Sequence, residues 1–444
     1  MSTMYKYLPH TPEDIELMLR KVGAATLDDL FTQVPKELRL QGDYDLPPAQ
    51  SEMEIRQTFE RLCARNKPLT VFAGAGVYDH YIPAVVPSIV GRSEFLTSYT
   101  PYQAEVSQGT LHYIFEFQSM MTELTGMDVS NASMYDGATA TAEAMLMAAH
   151  HVKKARRVLL SETVDEKVAQ VVRTYAHFHG VELTMVPETN GVTDSETLRQ
   201  QLAEGGVAGV VVQQPNRHGL IEDFTGYAEA IHGVKALFII NSPALDLALL
   251  RTPGEWGADI AVGDCQSLGL PMSFGGPYVG YMCCRESLMR KLPGRIVGMS
   301  ADNRGQRVFV LTLQAREQHI RRQKATSNIC SNQSLMALWA AVWCATMGKE
   351  GVREAATRSC DGAHYLAQQL TANGHFRMTY PGEFLNEFCV DYDGDVEALL
   401  GHLAAQGILG GVKTGEHTLM VAVTEKRTKE EIDRLVELAT GFQA

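Results

Sequence analysis

Between Val158 and Ile240 short apolar runs alternate with amphipathic stretches of helical period. Val158–Leu160, Glu182–Val186, Val207–Val212 and Ala236–Ile240 predict strands, and Glu166–Phe178, Ser195–Ala203 and Phe224–Ile231 predict the helices between them. That alternation predicts a mainly parallel sheet with helices on both faces. A further apolar run, 258–262, leads into Gly263–Gly280, and 278–283 is apolar again. The glycine-rich stretch therefore falls at the carboxyl edge of the sheet, where α/β proteins place their ligands.

The flanks follow other patterns. Thr11-Pro12-Glu13-Asp14 predicts a capped helix closed by Gly23, and Ser51 with Glu54 predicts a second one presenting Ile55, Phe59 and Leu62 on one face. Residues 1–68 are thus expected to form a helical arm whose apolar faces need cover from a partner or from the main body. A large α/β domain is expected over 69–330. Ser331–Met347 predicts an apolar linking helix, and 331–444 is expected to be that helix plus a small C-terminal α+β domain. Its strands are predicted at Asn386–Val390 and Thr418–Val423, and its helices at Glu397–Gln406 and Lys429–Leu438. From Lys291 to Ser331, Pro293, Gly294, Gly298 and Gly305 predict loops.

Composition narrows the function classes. In 444 residues, 39 Lys and Arg against 52 Asp and Glu give a net charge of −13. Such a chain repels phosphate backbones, so a nucleic-acid partner is not expected. No apolar run has the length of a membrane span, so no membrane association is expected. Eight cysteines without a C-x-x-C pair read as reduced thiols of a cytoplasmic protein. His150-His151, His177 and His179 lack carboxylates at metal spacing and read as surface residues, leaving no expected metal site.

Three stretches carry candidate chemistry. Asp136-Gly137-Ala138-Thr139 opens an Ala- and Met-rich helix, whose free N–H groups suit a phosphate or simply a capped core helix. Thr100–Gly109, with Tyr99 and Tyr102 beside prolines and a glycine, is an ordered loop or a packing loop. The run Arg316-Glu317-Gln318-His319-Ile320-Arg321-Arg322-Gln323-Lys324-Ala325-Thr326-Ser327-Asn328 concentrates cations that could hold a carboxylate or phosphate, join subunits, or form a solvated face. Gly74-Ala75-Gly76 resembles the start of a dinucleotide fingerprint. Asp79 stands at the third glycine position, however, and Pro83 and Pro87 argue against the required helix.

Together, Thr100–Gly109, Asn131–Ala144, Pro253–Gly257, Gly275-Gly276-Pro277, Pro293-Gly294-Arg295 and Arg316–Cys330 resemble the P-protein family of the glycine cleavage system, the glycine decarboxylases. The resemblance covers nearly the whole chain and is narrowest to the subunit 1 branch, which corresponds to the first half of longer P-proteins. It implies the fold-type-I architecture of pyridoxal-phosphate (PLP) enzymes, with a mostly parallel seven-stranded sheet and a small C-terminal domain. It also implies a partner, subunit 2 (the β subunit), which carries the Schiff-base lysine and holds PLP covalently. The implied activity is decarboxylation of glycine with transfer of the aminomethyl group to the lipoamide arm of H-protein, in a heterotetramer inactive as this chain alone.

The residues fit a lysine-less subunit. Lys235 and Lys291 flank a span without lysine, leaving Gln266 or Ser267 at the expected lysine position. The strand that should deliver an acid to the pyridinium nitrogen ends Ile239-Ile240-Asn241, with Asp246 a few residues beyond. Tyr99, Tyr102, Arg316, His319, Arg321, Arg322, Lys324, Thr326, Ser327 and Asn328 are then candidates for an active-site wall or interface. Asp136, Gly137, Ala138 and Thr139 are candidates for a vestigial phosphate cradle. The alternatives are an autonomous PLP enzyme using Lys291 or Lys324, and a purely structural partner subunit.

Overall fold

The computed structural model describes residues 7, 9–42, 44–152, 155–325, 327–372 and 374–442. The chain divides into two compact units, Met1–Lys67 and Pro68–Ala444.

In the first unit, helix Pro12–Val22 starts at a capping box between Thr11 and Asp14 and ends at Gly23 in the left-handed region (φ 74°). Helix Glu52–Cys63 starts at the Ser51–Glu54 capping box. Neither helix buries a residue, and Leu17, Val22, Phe31, Ile55, Phe59 and Leu62 are exposed.

The second unit is built on a seven-stranded sheet in the order Val129–Ser130, Gly280–Cys284, Ile260–Asp264, Leu237–Asn241, Val207–Gln213, Arg157–Ser161, Glu182–Val186. The last five run parallel; Gly280–Cys284 is antiparallel to both of its neighbours. The central strands are apolar without alternation because helices cover both faces. On one face lies Gly137–His151, in which Gly137 and every residue from Ala140 to Ala148 are buried; small side chains let it sit close to the strands. Helices Glu166–His179, Ser195–Ala203 and Tyr227–Gly233 complete the crossovers.

A C-terminal four-stranded antiparallel sheet follows, ordered Phe376–Met378, Glu387–Tyr392, Thr418–Ala422, Val412–Lys413, with helices Val396–Ala405 and Lys429–Thr440. The linking helix is longer than its pattern predicts: Ser334–Thr371, broken at Gly348 (φ 63°, ψ 176°). Thr70–Val71, at the start of the unit, pairs in parallel with Ile408–Leu409, joining two chain segments far apart in sequence.

Two expectations are corrected. Ile296–Ala301 and Arg307–Thr312 form an antiparallel hairpin where loops were expected; Gly298 lies within it because a side chain there would strike Thr312, and Gly305 makes its turn. Val85–Val90 is a short helix despite Pro87, which sits in the first turn, where no intrahelical N–H bond is required.

Candidate functional site

Asp264, Asn241 and Gln213 end three adjacent strands and open onto a cleft of about 290 Å³. The opposite wall is the loop Ala75–Tyr78. Gln266, one of the two residues at the expected lysine position, is fully engaged. Tyr78 N–H donates to its Oε1 (2.9 Å), while its Nε2 donates to Tyr78 O and Leu270 O, both at 2.8 Å. Ser267 Oγ instead accepts from Leu245 N–H (3.2 Å).

A neighbouring carboxylate locks the same loop. Glu387, from the C-terminal sheet, accepts from Ala75 N–H and from Tyr78 Oη (3.2 Å). Gly74 has no side chain because Glu387 and Ala422 occupy that space. Burial pushes the Glu387 carboxyl up to about 7, although the bonds from Ala75 and Tyr78 oppose the rise. Asp246 is also buried, and burial followed by the charge of Glu387 raises it to about 8.

Helix Gly137–His151 begins at the cleft, with Asp136 as N-cap: Thr139 N–H donates to Asp136 Oδ1 at 2.7 Å. Gly137 N–H donates to Asp264 Oδ2 at 3.0 Å, and Gln266 N–H to Asp264 Oδ1 at 2.7 Å. Burial raises Asp264 to about 7, against those two bonds. Ala138 lines the cleft beside Gly137. Protein carboxylates thus take the donors that a phosphate would need.

These residues do not fit PLP. Asn241 Nδ2 is paired with Gln213 Oε1 (3.2 Å) and brings no carboxylate to a pyridinium nitrogen. Asp136, Asp165 and Asp264 border the cleft and repel a phosphate. Lys167, exposed at the start of helix Glu166–His179, is the cleft's lining lysine, while Lys291 and Lys324 border a different cavity. Lys291 Nζ is itself held by His151 Nδ1 at 2.8 Å.

The other predicted residues form no single wall, because short turns of helix at Gln314–Arg316, Gln318–Arg321 and Arg322–Lys324 send successive side chains apart. Tyr102 and His319 do meet, edge to face, with ring centroids 5.7 Å apart. Behind them Arg295 lies 5.4 Å from the Tyr102 ring centroid, and its Nη2 reaches Tyr102 Oη at 3.4 Å. Glu317 Oε2 lies 3.6 Å from Arg295 Nε and 3.7 Å from His319 Nδ1. Arg295 and Glu317 are buried, so the pair sets the position of the exposed residues in front of it.

Arg316 is buried, donates to Leu292 O, and has a pKa lowered by burial; it does not face the Tyr102–His319 cluster. Tyr99 is exposed, as are Arg322 and Asn328; Arg321 and Lys324 turn to the cavity beside Lys291. Ser327 Oγ donates to Glu143 Oε1 at 2.7 Å. Thr326 lies outside the described residues. Sequence reasoning missed Glu387 and Glu317 as organisers, and Arg295 entered it only within the Pro293-Gly294-Arg295 motif.

The sheet order, the cleft at the strand ends and the C-terminal module define the fold-type-I class of PLP-dependent enzymes. The family model for the glycine cleavage system P-protein matches residues 5–439, and the chain belongs to that family. It is 48% identical to a protein of Anoxybacillus flavithermus named "probable glycine dehydrogenase (decarboxylating) subunit 1", over 99% of this chain and 100% of that one. It is similar to the crystal structure of an inhibitor-bound glycine decarboxylase (P-protein) of the glycine cleavage system. The TM-score there is 0.88 and the identity 44%, over 98% of this chain and 100% of that one. The sphingosine-1-phosphate lyase of Burkholderia pseudomallei shares the fold (TM-score 0.67, 12% identity, 92% and 94% covered).

Proposed function

We propose that this chain is the lysine-less subunit of a heteromeric glycine decarboxylase, acting with glycine dehydrogenase subunit 2. In this reading PLP is held covalently by the partner. The assembled pair decarboxylates glycine and transfers the aminomethyl group to the lipoamide of H-protein. The observation that supports it is the loop expected to carry the lysine: it holds the uncharged Gln266, whose amide is consumed by Tyr78 and Leu270, and Ser267.

This chain contributes a wall and a docking face rather than a cofactor pocket. The exposed Tyr102 and His319, backed by Arg295 and Glu317, are the candidate wall, and exposed Tyr99 precedes Tyr102 by three residues in the chain. Exposed Leu96, Val106 and Ile320 on the same two segments supply the apolar surface expected of an interface. Phe274 is fully exposed in the Gly275-Gly276-Pro277 loop and suits insertion into a partner.

The test is co-expression with the lysine-bearing subunit and a glycine–bicarbonate exchange assay of each chain and of the pair. Exchange by the pair alone is expected. Exchange by this isolated chain would overturn the reading.

A further inference from the structure

A second cavity, of about 380 Å³, lies away from the strand-edge cleft and is bordered by Arg290, Lys291, Arg321, Lys324, His150 and Glu143. Its charge is unbalanced. Among the described residues, the side chains of Arg290, Arg321 and Lys324 have neither an ion pair nor a hydrogen bond; Lys291 meets only the ring nitrogen of His151. Glu143 is the one lining carboxylate. It is buried, accepts from Ser327 Oγ at 2.7 Å, and is raised above the usual carboxylate range, chiefly by burial. His150 is held below its ordinary value, first by burial and then by His179, Arg156 and Lys291.

Four permanent cations therefore converge in a chain whose net charge is −13. Like charges gathered without carboxylate partners give a local positive field that attracts an anion. A lone inorganic phosphate would leave most of this volume unused, since cavities of roughly 300–1,000 Å³ take whole small molecules. Two guanidinium forks and two ammonium groups match phosphoryl oxygens, the forks by paired hydrogen bonds and the ammonium groups as point charges. Met147 and Pro293 supply an apolar patch for the rest of the molecule.

We propose that this cavity binds a small molecule bearing a di- or polyphosphate. The proposal concerns only this chain's own residues and does not depend on the partner or on glycine chemistry.

Isothermal titration of the full chain with inorganic pyrophosphate tests it. One saturable site per chain is expected, weakening as salt rises. Arg290→Gln and Lys324→Gln should each lower affinity at least tenfold, while Lys413→Gln, on the C-terminal sheet beside Glu397, should leave it unchanged. Both cavity substitutions are at exposed positions, and unchanged thermal unfolding verifies the fold; Arg321→Gln replaces either one that fails this check. Absence of saturable binding overturns the proposal, as does affinity left within twofold by the cavity substitutions. Citrate binding more tightly than pyrophosphate overturns the phosphate assignment. Because the readout is binding, loss of exchange activity for other reasons does not affect it.

Discussion

Tyr78 and Gln266, 188 positions apart, exchange two hydrogen bonds: the backbone N–H of Tyr78 donates to Gln266 Oε1, and Gln266 Nε2 donates to the Tyr78 carbonyl. Their pairing closes the strand-edge cleft at the point where a cofactor enzyme keeps its lysine. With Glu387 holding Ala75 and Tyr78 from the other side, the loop is fixed as one wall of the cleft.

Gln266→Ala leaves the Tyr78 backbone groups and Leu270 O unpaired in a buried site. A loss of about 2 kcal/mol or more in unfolding free energy is expected, read by chemical denaturation. Gln266→Lys should lose stability too and gain no cofactor, because Asp264 and Asp136 occupy the anion donors. A visible absorbance band on adding PLP, traced to that lysine by borohydride reduction and peptide mapping, would refute this.

Stability should fall as pH rises from about 5 to about 8. Glu387 (about 7) and Asp246 (about 8) both sit above their ordinary values of 4.5 and 3.8, so in this window the folded chain holds protons that the unfolded chain has released. Their contribution is complete below the ordinary carboxylate range and is lost as pH passes the raised values. The slope is at most about 1.4 kcal/mol per pH unit for each group. Asp246→Asn should flatten the profile and raise the melting temperature at pH 8. An unchanged slope in this variant would contradict the assignment.

Arg295→Met leaves the buried Glu317 without its arginine partner. A loss of about 3 kcal/mol or more is expected, whereas Arg321→Met, at an exposed position, should change unfolding free energy by no more than about 0.5 kcal/mol. Paired denaturation curves of the two variants decide this.

Residues 68–444 contain the sheet and its cores, while neither N-terminal helix buries a residue. A chain starting at Pro68 should therefore unfold cooperatively within a few degrees of the full chain. The segment 1–67 alone should show little helical circular dichroism, since helices of 11 and 12 residues are marginal in water. Loss of cooperative unfolding in the shortened chain would show that the arm is part of the core.

Phe274→Asp should weaken association with the proposed partner subunit at least tenfold without lowering the melting temperature. Phe274 is exposed with φ 54°, a conformation that Asp tolerates. Sedimentation of the mixed subunits gives the answer; unchanged affinity would place the interface elsewhere.

The apolar runs at Val207–Gln213 and Leu237–Asn241 determined parallel strands by themselves, because strands covered on both faces leave no polar alternation. The capping boxes at Thr11 and Ser51 likewise fixed two helix starts within three or four residues of chain. The missing lysine was equally legible, since absence over a span needs no geometry. Tertiary structure alone decided how the residues of that loop are held. Gln266 meets Tyr78 across 188 positions, and Glu387 reaches Ala75 across 312, from a sheet formed much later in the chain. Local pattern encodes period and caps; it carries no information about which distant side chain supplies a buried partner. The same limit explains why one basic run was read as one wall. Its sign is written in the sequence, but the turns that divide Tyr102 and His319 from Arg321 and Lys324 exist only once the chain has packed.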